Sequence, residues 1–303
     1  MSPSKQFEQD RARGQDDPSA DRLRKADRLL EILDLESIEQ DLFRGHNEVR
    51  GDVRLFGGQV LAQALRAAYH TVDGRHAHSV HAYFIRPGDG TRPVLYEVDR
   101  IRDGRSFTTR RVVAIQAGEA IFSAAISFHR AEDGFEHAHP MPNVPPPEEL
   151  ADDQVSAAQL AGQANLSPLA GRVRPFAMRS IFPLGSPQWQ KNRFRNPVWI
   201  RFGRSVADAD QVLARCLLAY ASDMGLVSTA VLPHGSGRAD IQMASLDHAL
   251  WIHRAVSMND WLLFYKRTSV ADGARGLVHA DFFTRDGELV ASVSQEGLIR
   301  PIS

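Results

Sequence analysis

Cysteine is almost absent from this chain. The single thiol, Cys216 in 303 residues, excludes an intrachain disulfide and a cysteine-rich zinc site. Net charge is nearly absent too: 36 Lys and Arg against 37 Asp and Glu leave a formal −1, with no global basic field to gather nucleic acid or anionic lipid. No apolar run is read as approaching the roughly 20 residues of a membrane span. The opening residues lack the apolar stretch of a signal peptide, and Pro301-Ile302-Ser303 is not a Ser-Lys-Leu type of address. These absences lead us to expect a cytoplasmic protein that has neither nucleic acid nor membrane as partner. Also missing is the Gly-x-Ser-x-Gly pentapeptide of a nucleophile elbow, because Gly235-Ser236-Gly237 has the wrong spacing. Cys216, set among Leu213, Leu217 and Leu218, reads as a core residue rather than a nucleophile.

Hydrophobic residues are plentiful, at 43% of the chain, enough for a sizeable core. Residues 1–22 are polar and charged and read as a disordered arm. Apolar positions at 29, 30, 32, 33 and 35 suggest a short helix over residues 26–35. After Phe56-Gly57-Gly58-Gln59, the spacing of Val60, Leu61, Ala64, Leu65, Ala68 and Val72 predicts a second helix. The pattern then turns to strands over 81–85, 94–101, 108–116 and 120–128, with Asp103-Gly104 and Ala117-Gly118 as turns.

A proline-rich stretch follows, from His139-Pro140-Met141-Pro142 to Pro145-Pro146-Pro147, and is read as part of a linker over 131–196 with one helix candidate near 148–161. Beyond it the helical pattern recurs in Val212, Leu213, Cys216, Leu217, Tyr220 and Met224, and strands run from Ala244 onward. The second part repeats the first: residues 94–128 laid without a gap on 263–297 pair Asp103-Gly104 with Asp272-Gly273 and Gly118-Glu119 with Gly287-Glu288. Two units, each a long apolar helix wrapped by an antiparallel sheet, give an α+β double hotdog. The units are expected at 23–130 and 197–303, joined side by side so that their edge strands are protected.

Five ordered segments carry a resemblance. They are Val53-Arg54-Leu55-Phe56-Gly57-Gly58-Gln59, His81-Ala82-Tyr83-Phe84-Ile85-Arg86-Pro87-Gly88-Asp89, Tyr220-Ala221-Ser222-Asp223, the run from Ser245-Leu246-Asp247-His248 to His253, and Ser294-Gln295-Glu296-Gly297. Together they resemble the acyl-CoA thioesterase II family over roughly residues 25–301. The resemblance implies hydrolysis of fatty acyl-CoA, with no cofactor and no metal, by a water held by an Asp, a Ser or Thr, and a Gln. Asp223, Ser245 and Gln295 match those three positions, with Ser where some members have Thr. It further implies a homo-oligomer.

The residues are chemically suited to those roles. Asp223 falls near the end of the second unit's helix after apolar neighbours, where partial desolvation moves a carboxylate toward a useful base. Ser245 and Gln295 offer neutral donors and acceptors that can hold a water without competing as nucleophiles. A backbone N–H near Gly57 or Gly58, at a helix start, could meet an oxyanion. His81 could serve as a base or pack as a strand histidine. His76, His78 and His81 have a spacing that could invite a metal, but no carboxylate or cysteine completes the set. Arg86, Arg105 and Arg300 are candidates for the coenzyme phosphates by sign alone. Two other readings share the fold: a non-catalytic acyl-CoA-binding protein, and an enoyl-CoA hydratase, for which the Asp and His pair before the main helix is missing.

Overall fold

The structure is a computed structural model that describes residues 18–47, 54–160, 173–183, 186–235 and 241–302. Helix α1 (Pro18–Leu33) begins with proline, whose fixed φ suits a first helical turn, and buries Ala26, Leu29, Ile32 and Leu33. It therefore starts inside the stretch expected to be a disordered arm. What the polar composition hid is a long-range anchor: Arg22 pairs with Asp152 at 2.8 Å. The rest of that arm, residues 1–17, lies outside the described residues.

Strands β1 (Glu36–Glu39) and β2 (Leu42–Gly45) precede α2 (Gly57–Tyr69), which buries every residue from Gly58 to Tyr69 except Arg66. Strands β3 (His76–Phe84), β4 (Val94–Asp103), β5 (Phe107–Gln116) and β6 (Glu119–His129) complete the first half. The second half comprises α3 (Asp153–Leu160), β7 (Phe176–Ser180), α4 (Pro187–Lys191), β8 (Arg195–Phe202), α5 (Gln211–Ser222), α6 (Leu226–Val231), β9 (Ile241–Ser245), β10 (Asp247–Ile252), β11 (Leu262–Asp272), β12 (Arg275–Phe283) and β13 (Leu289–Pro301). Among the described residues these strands form one antiparallel 13-stranded sheet, in the order β1-β2-β4-β5-β6-β3-β10-β13-β12-β11-β8-β7, with β9 also on β13. The halves join where β3 meets β10, Val80 opposite Leu250 and His81 opposite Ala249, so neither strand is left as an edge.

The two long helices pack on each other. Small residues, Ala64, Ala67 and Ala68 on α2 and Ala214, Ala219 and Ala221 on α5, let them approach closely, while Leu61, Leu65, Leu217 and Leu218 are fully buried. Each such leucine is worth about 1.5–3 kcal/mol in apolar area removed from water.

The internal repeat exists; the ungapped alignment holds for β6 on β13 and is one residue out for β4 on β11. Core-facing Val94, Tyr96 and Val98 of β4 correspond to Leu262, Phe264 and Lys266 of β11, an offset of 168 residues, whereas Ile126 of β6 corresponds to Gln295 of β13, an offset of 169. The extra residue sits in the turn between β12 and β13. At the expected offset Tyr96 would match Tyr265, which faces a second apolar cluster on the sheet's other side with Trp199, Trp261 and Phe283. Side chains alternate faces along a strand, so a one-residue slip exchanges inside for outside.

The expected linker over 131–196 also differs. It contains β7, α4 and the start of β8, and among the described residues β7 is an edge strand paired with β8 alone. Five residues with Arg179 and Ser180 at one end carry too little alternation to be read as a strand. Its proline-rich part packs across the outer face of the second half, where Trp199 Nε1 donates to Pro145 O at 2.9 Å. Of the helix expected near 148–161, Pro147–Glu149 is a single 3₁₀ turn, residues 150–152 are not helical and α3 covers Asp153–Leu160; Ala161 lies outside the described residues. Finally, Gln211–His234 is a 24-residue helical stretch whose most apolar window has a mean hydropathy of 1.4, long and apolar enough by composition to cross a membrane, contrary to the reading that no run approached that length. It is α5, a break at Asp223–Gly225 and α6, and 72% of its most apolar window is buried inside the protein, as a core helix would be.

Candidate active site

The structure brings Asp223, Ser245 and Gln295 together, and their meeting point lies between the halves. Asp223 caps the C-terminus of α5. Gly225, two residues on, takes φ +73°, a left-handed conformation that glycine adopts without strain, and turns the chain into α6. The carboxylate therefore projects from a helix end into protein. Its Oδ2 accepts the N–H of Gly58, in the first turn of α2, at 2.8 Å. Oδ1 accepts Nε2 of Gln295 at 2.8 Å and lies 3.5 Å from the Ser245 hydroxyl.

Close packing explains the two glycines. A Cβ at Gly57 would fall 2.9 Å from Asp223 Oδ2, and one at Gly58 would fall 2.5 Å from the carbonyl oxygen of Tyr220. The start of α2 can meet the end of α5 only without side chains there. The Gly58 N–H, a candidate for an oxyanion, is given to Asp223 instead.

Asp223 is 7% exposed, and its carboxyl is pushed up to about 6, mainly by burial. Hydrogen bonds from Gln295, Gly58 and Ser245 and the positive charge of Arg174 pull the other way without cancelling it. The group is poised to exchange a proton near neutral pH, where a general base works best. Gln295 is 1% exposed on the core face of β13. Its Nε2 must face the carboxylate, since the reverse orientation would set two acceptors against each other. That leaves Oε1 as a buried acceptor with no donor among the described residues.

Ser245 is delivered by β9, whose last pair is Ser245 with Gly297. The corner after it is fixed by Leu246 N–H to Glu296 O at 3.0 Å and by Asp247, which accepts Glu296 N–H at 2.6 Å. His248, two residues past that corner and within a segment that carried the resemblance, is fully buried beside the site and was not among the expected site residues. Its Nε2 is 2.9 Å from Ser222 Oγ, beside Asp223, and burial pushes its imidazole down to about 3. Ser222 gives its only hydroxyl proton to Ala219 O at 2.8 Å, so it must accept from a neutral His248 protonated at Nε2.

The other candidates sit elsewhere. His81 is on the exposed face of β3, edge-on to Trp251 at 5.2 Å. His78 bonds Ser127 Oγ at 2.8 Å. Arg86 pairs with Glu119 at 2.7 Å and donates to Ala120 O, pinning the chain after β3 to β6. Arg105 and Arg300 are exposed. Cys216 is fully buried and its thiol is pushed up to about 12, in keeping with a core role.

Known proteins share this arrangement of two halves. A family described as acyl-CoA thioesterase matches residues 188–298, and one described as acyl-CoA thioesterase N-terminal domain matches residues 47–129. Acyl-coenzyme A thioesterase 8 of Mus musculus is 39% identical over 90% of this chain and 88% of its own length. The chain belongs to the acyl-CoA thioesterase family. Acyl-CoA thioesterase 2 of Haemophilus influenzae is 37% identical over 90% of this chain and 96% of its own. Among solved structures, the acyl-CoA thioesterase II TesB2 of Mycobacterium marinum superposes with a TM-score of 0.75 at 39% identity, covering 91% of this chain and 99% of that one. Both the family and the double hotdog expected from sequence are thus borne out.

Proposed function

We propose that this acyl-CoA thioester hydrolase cleaves fatty acyl-CoA to free fatty acid and CoA by direct attack of one water, with Asp223 as general base. The observation that carries the reading is the convergence of Ser245, Gln295 and the start of α2 on one buried carboxylate. Asp223 takes a proton from the water as its oxygen attacks the thioester carbonyl. The buried Oε1 of Gln295 accepts the water's other hydrogen and so aims a lone pair at the carbonyl carbon. Ser245 shares the load on Oδ1. Oxyanion stabilisation falls to the positive end of α2, where Gly57 N–H is the donor we assign, Gly58 N–H being held by Asp223. When the C–S bond breaks, the proton held by Asp223 passes to the departing thiolate. No acyl-enzyme forms, because none of the three side chains is a competent nucleophile in this setting.

The cellular setting belongs to the same proposal: a cytoplasmic enzyme of fatty acid metabolism that assembles from copies of itself. Exposed Ile101 and Val270, near the far ends of the matching strands β4 and β11, are apolar surface such an assembly would cover. The test of the chemistry is release of free thiol from a panel of acyl-CoAs by the purified protein and by Asp223→Asn. Turnover by the wild type and its loss in a folded variant are expected. Binding without turnover in the wild type would instead mark an acyl-CoA-binding protein.

A further inference from the structure

Asp223 meets Ser245 and Gln295 from separate supports: the carboxylate rides on the end of α5, the hydroxyl on β9 and the amide on β13. One side-chain contact spans these supports. His248 Nε2 lies 2.9 Å from the hydroxyl of Ser222, the last residue of α5 and the one before Asp223. His248 is itself three residues past Ser245. It is also a neighbour of Gln295, because β10 and β13 place Ala249 opposite Ser294 and one step back along that register brings His248 to Gln295, both of them buried. The contact thus joins the carrier of the carboxylate to the strands that carry its two partners.

Its chemistry is that of a fixed tie. The Ser222 hydroxyl accepts from His248 because its own proton goes to Ala219 O. Burial holds the His248 imidazole far below its ordinary value, so the ring is neutral wherever the enzyme works and its one proton stays at Nε2. Nδ1 is buried and has no donor among the described residues. A ring with half its hydrogen-bonding capacity unused is a costly occupant of a core position.

The first half shows what the same position holds where no such site is built. At the junction of the halves the pairs Val80–Leu250 and Ala82–His248 are exchanged by swapping β3 with β10, so Val80 is the counterpart of His248. The end of α2 is fastened differently: the phenol oxygen of its last residue, Tyr69, accepts the backbone N–H of Ala77 at 2.9 Å. Each long helix is therefore tied at its last residue to the strand that joins the halves, and in the second the tie runs through a polar core side chain.

We propose that His248 is a positioning residue for the hydrolysis: by holding Ser222 it fixes the last turn of α5 against β10, and with it the placement of Asp223 on Ser245 and Gln295. The proposal rests on the hydrolytic reading for the roles of those three groups. Ser222 is one residue from Asp223 and His248 three from Ser245, so slack in their bond passes directly to Asp223 Oδ1, with its 2.8 Å bond to Gln295 and its 3.5 Å approach to Ser245.

The experiment replaces His248 by Val, the first half's residue; by Gln, whose amide nitrogen falls where Nε2 stands; and by Asn, whose amide reaches only as far as Nδ1. In thiol release, kcat should fall about 10- to 100-fold in His248→Val and His248→Asn with KM changed less than about threefold, and His248→Gln should recover most of the loss. Ser222→Ala should lose a similar factor, and combining it with His248→Val should lose no more than either alone. Amide hydrogen exchange at Gly58 reads the tie without turnover. That N–H is held by Asp223 Oδ2, so its protection should drop in the Val and Asn variants and persist in His248→Gln. If Asp223→Asn proved as active as the wild type, the base assignment would fail and the exchange pattern would still judge His248. The proposal is overturned if His248→Val keeps the wild-type kcat, if His248→Gln is no better than His248→Asn, or if Gly58 protection is the same in all three variants. Should His248→Val fail to fold, the contrast between Gln and Asn decides alone.

Discussion

The two halves of the molecule are built alike and differ where chemistry is needed. Ile126 in the first half stands where Gln295 stands in the second, and Val98 where Lys266 stands. At the helix C-terminus, His70 of α2 stacks on Phe43 at 5.1 Å, whereas Asp223 of α5 faces another helix's N-terminus. The link from helix to next strand is short in the first half, residues 70–75, and in the second it expands to residues 223–246, adding α6 and β9 and with them Ser245. At those two strand positions the first unit keeps an apolar residue where the second carries a polar one. The first half is still no mere scaffold: Gly58 brings the first turn of α2 to Asp223.

The comparison breaks most sharply at Asp223. Asp223→Asn removes the base and should lower kcat by about 10²- to 10⁴-fold in a thiol-release assay. The same variant should be more stable at neutral pH. With a folded value of about 6 against an ordinary 3.8, the carboxyl's contribution to stability is fully present below pH 3.8 and lost as pH rises through about 6. The loss at pH 7 is about 3 kcal/mol, which asparagine avoids, and thermal melts at pH 7 and pH 4 should show the gain only at the higher pH. Asparagine can also keep the network, accepting from Gly58 N–H and donating to Gln295 Oε1.

Gly58→Ala tests whether the halves must touch here. With its Cβ 2.5 Å from a backbone carbonyl that cannot turn aside, the variant should lose about 3 kcal/mol of stability and most activity, read by denaturant titration and thiol release. Gln295→Ile installs the first half's residue in the second. Activity should fall about 10²-fold with the fold intact, and the residual activity should titrate above 6, because a hydrogen bond that lowers the Asp223 value is gone. Ser245→Ala should have the smallest effect, about tenfold, since its bond to Asp223 is 3.5 Å long.

What the sequence disclosed, it disclosed through pattern and resemblance. Helical spacing located α2 and α5, and ordered motifs marked Asp223, Ser245 and Gln295. The strand register escaped because one residue in a turn decides which face every later side chain takes, and Tyr96 and Tyr265 looked equivalent until they proved to face opposite ways. Gly58's role escaped because a backbone N–H has no signature of its own, and the short span from Gly58 to Tyr220 exists only once two helices pack. Lys266 escaped for the opposite reason: an isolated lysine in a strand reads as a solvated charge, and only the fold buries it.

The most direct test of the central claim is the pH dependence of kcat/KM for the wild type on its best acyl-CoA. If Asp223 is the base, the profile should rise through an acid limb near pH 6, and the residual activity of Asp223→Asn should lack that limb. A wild-type rate that stays flat down to pH 4, or an acid limb near 6 that survives in Asp223→Asn, would assign the proton transfer to another group.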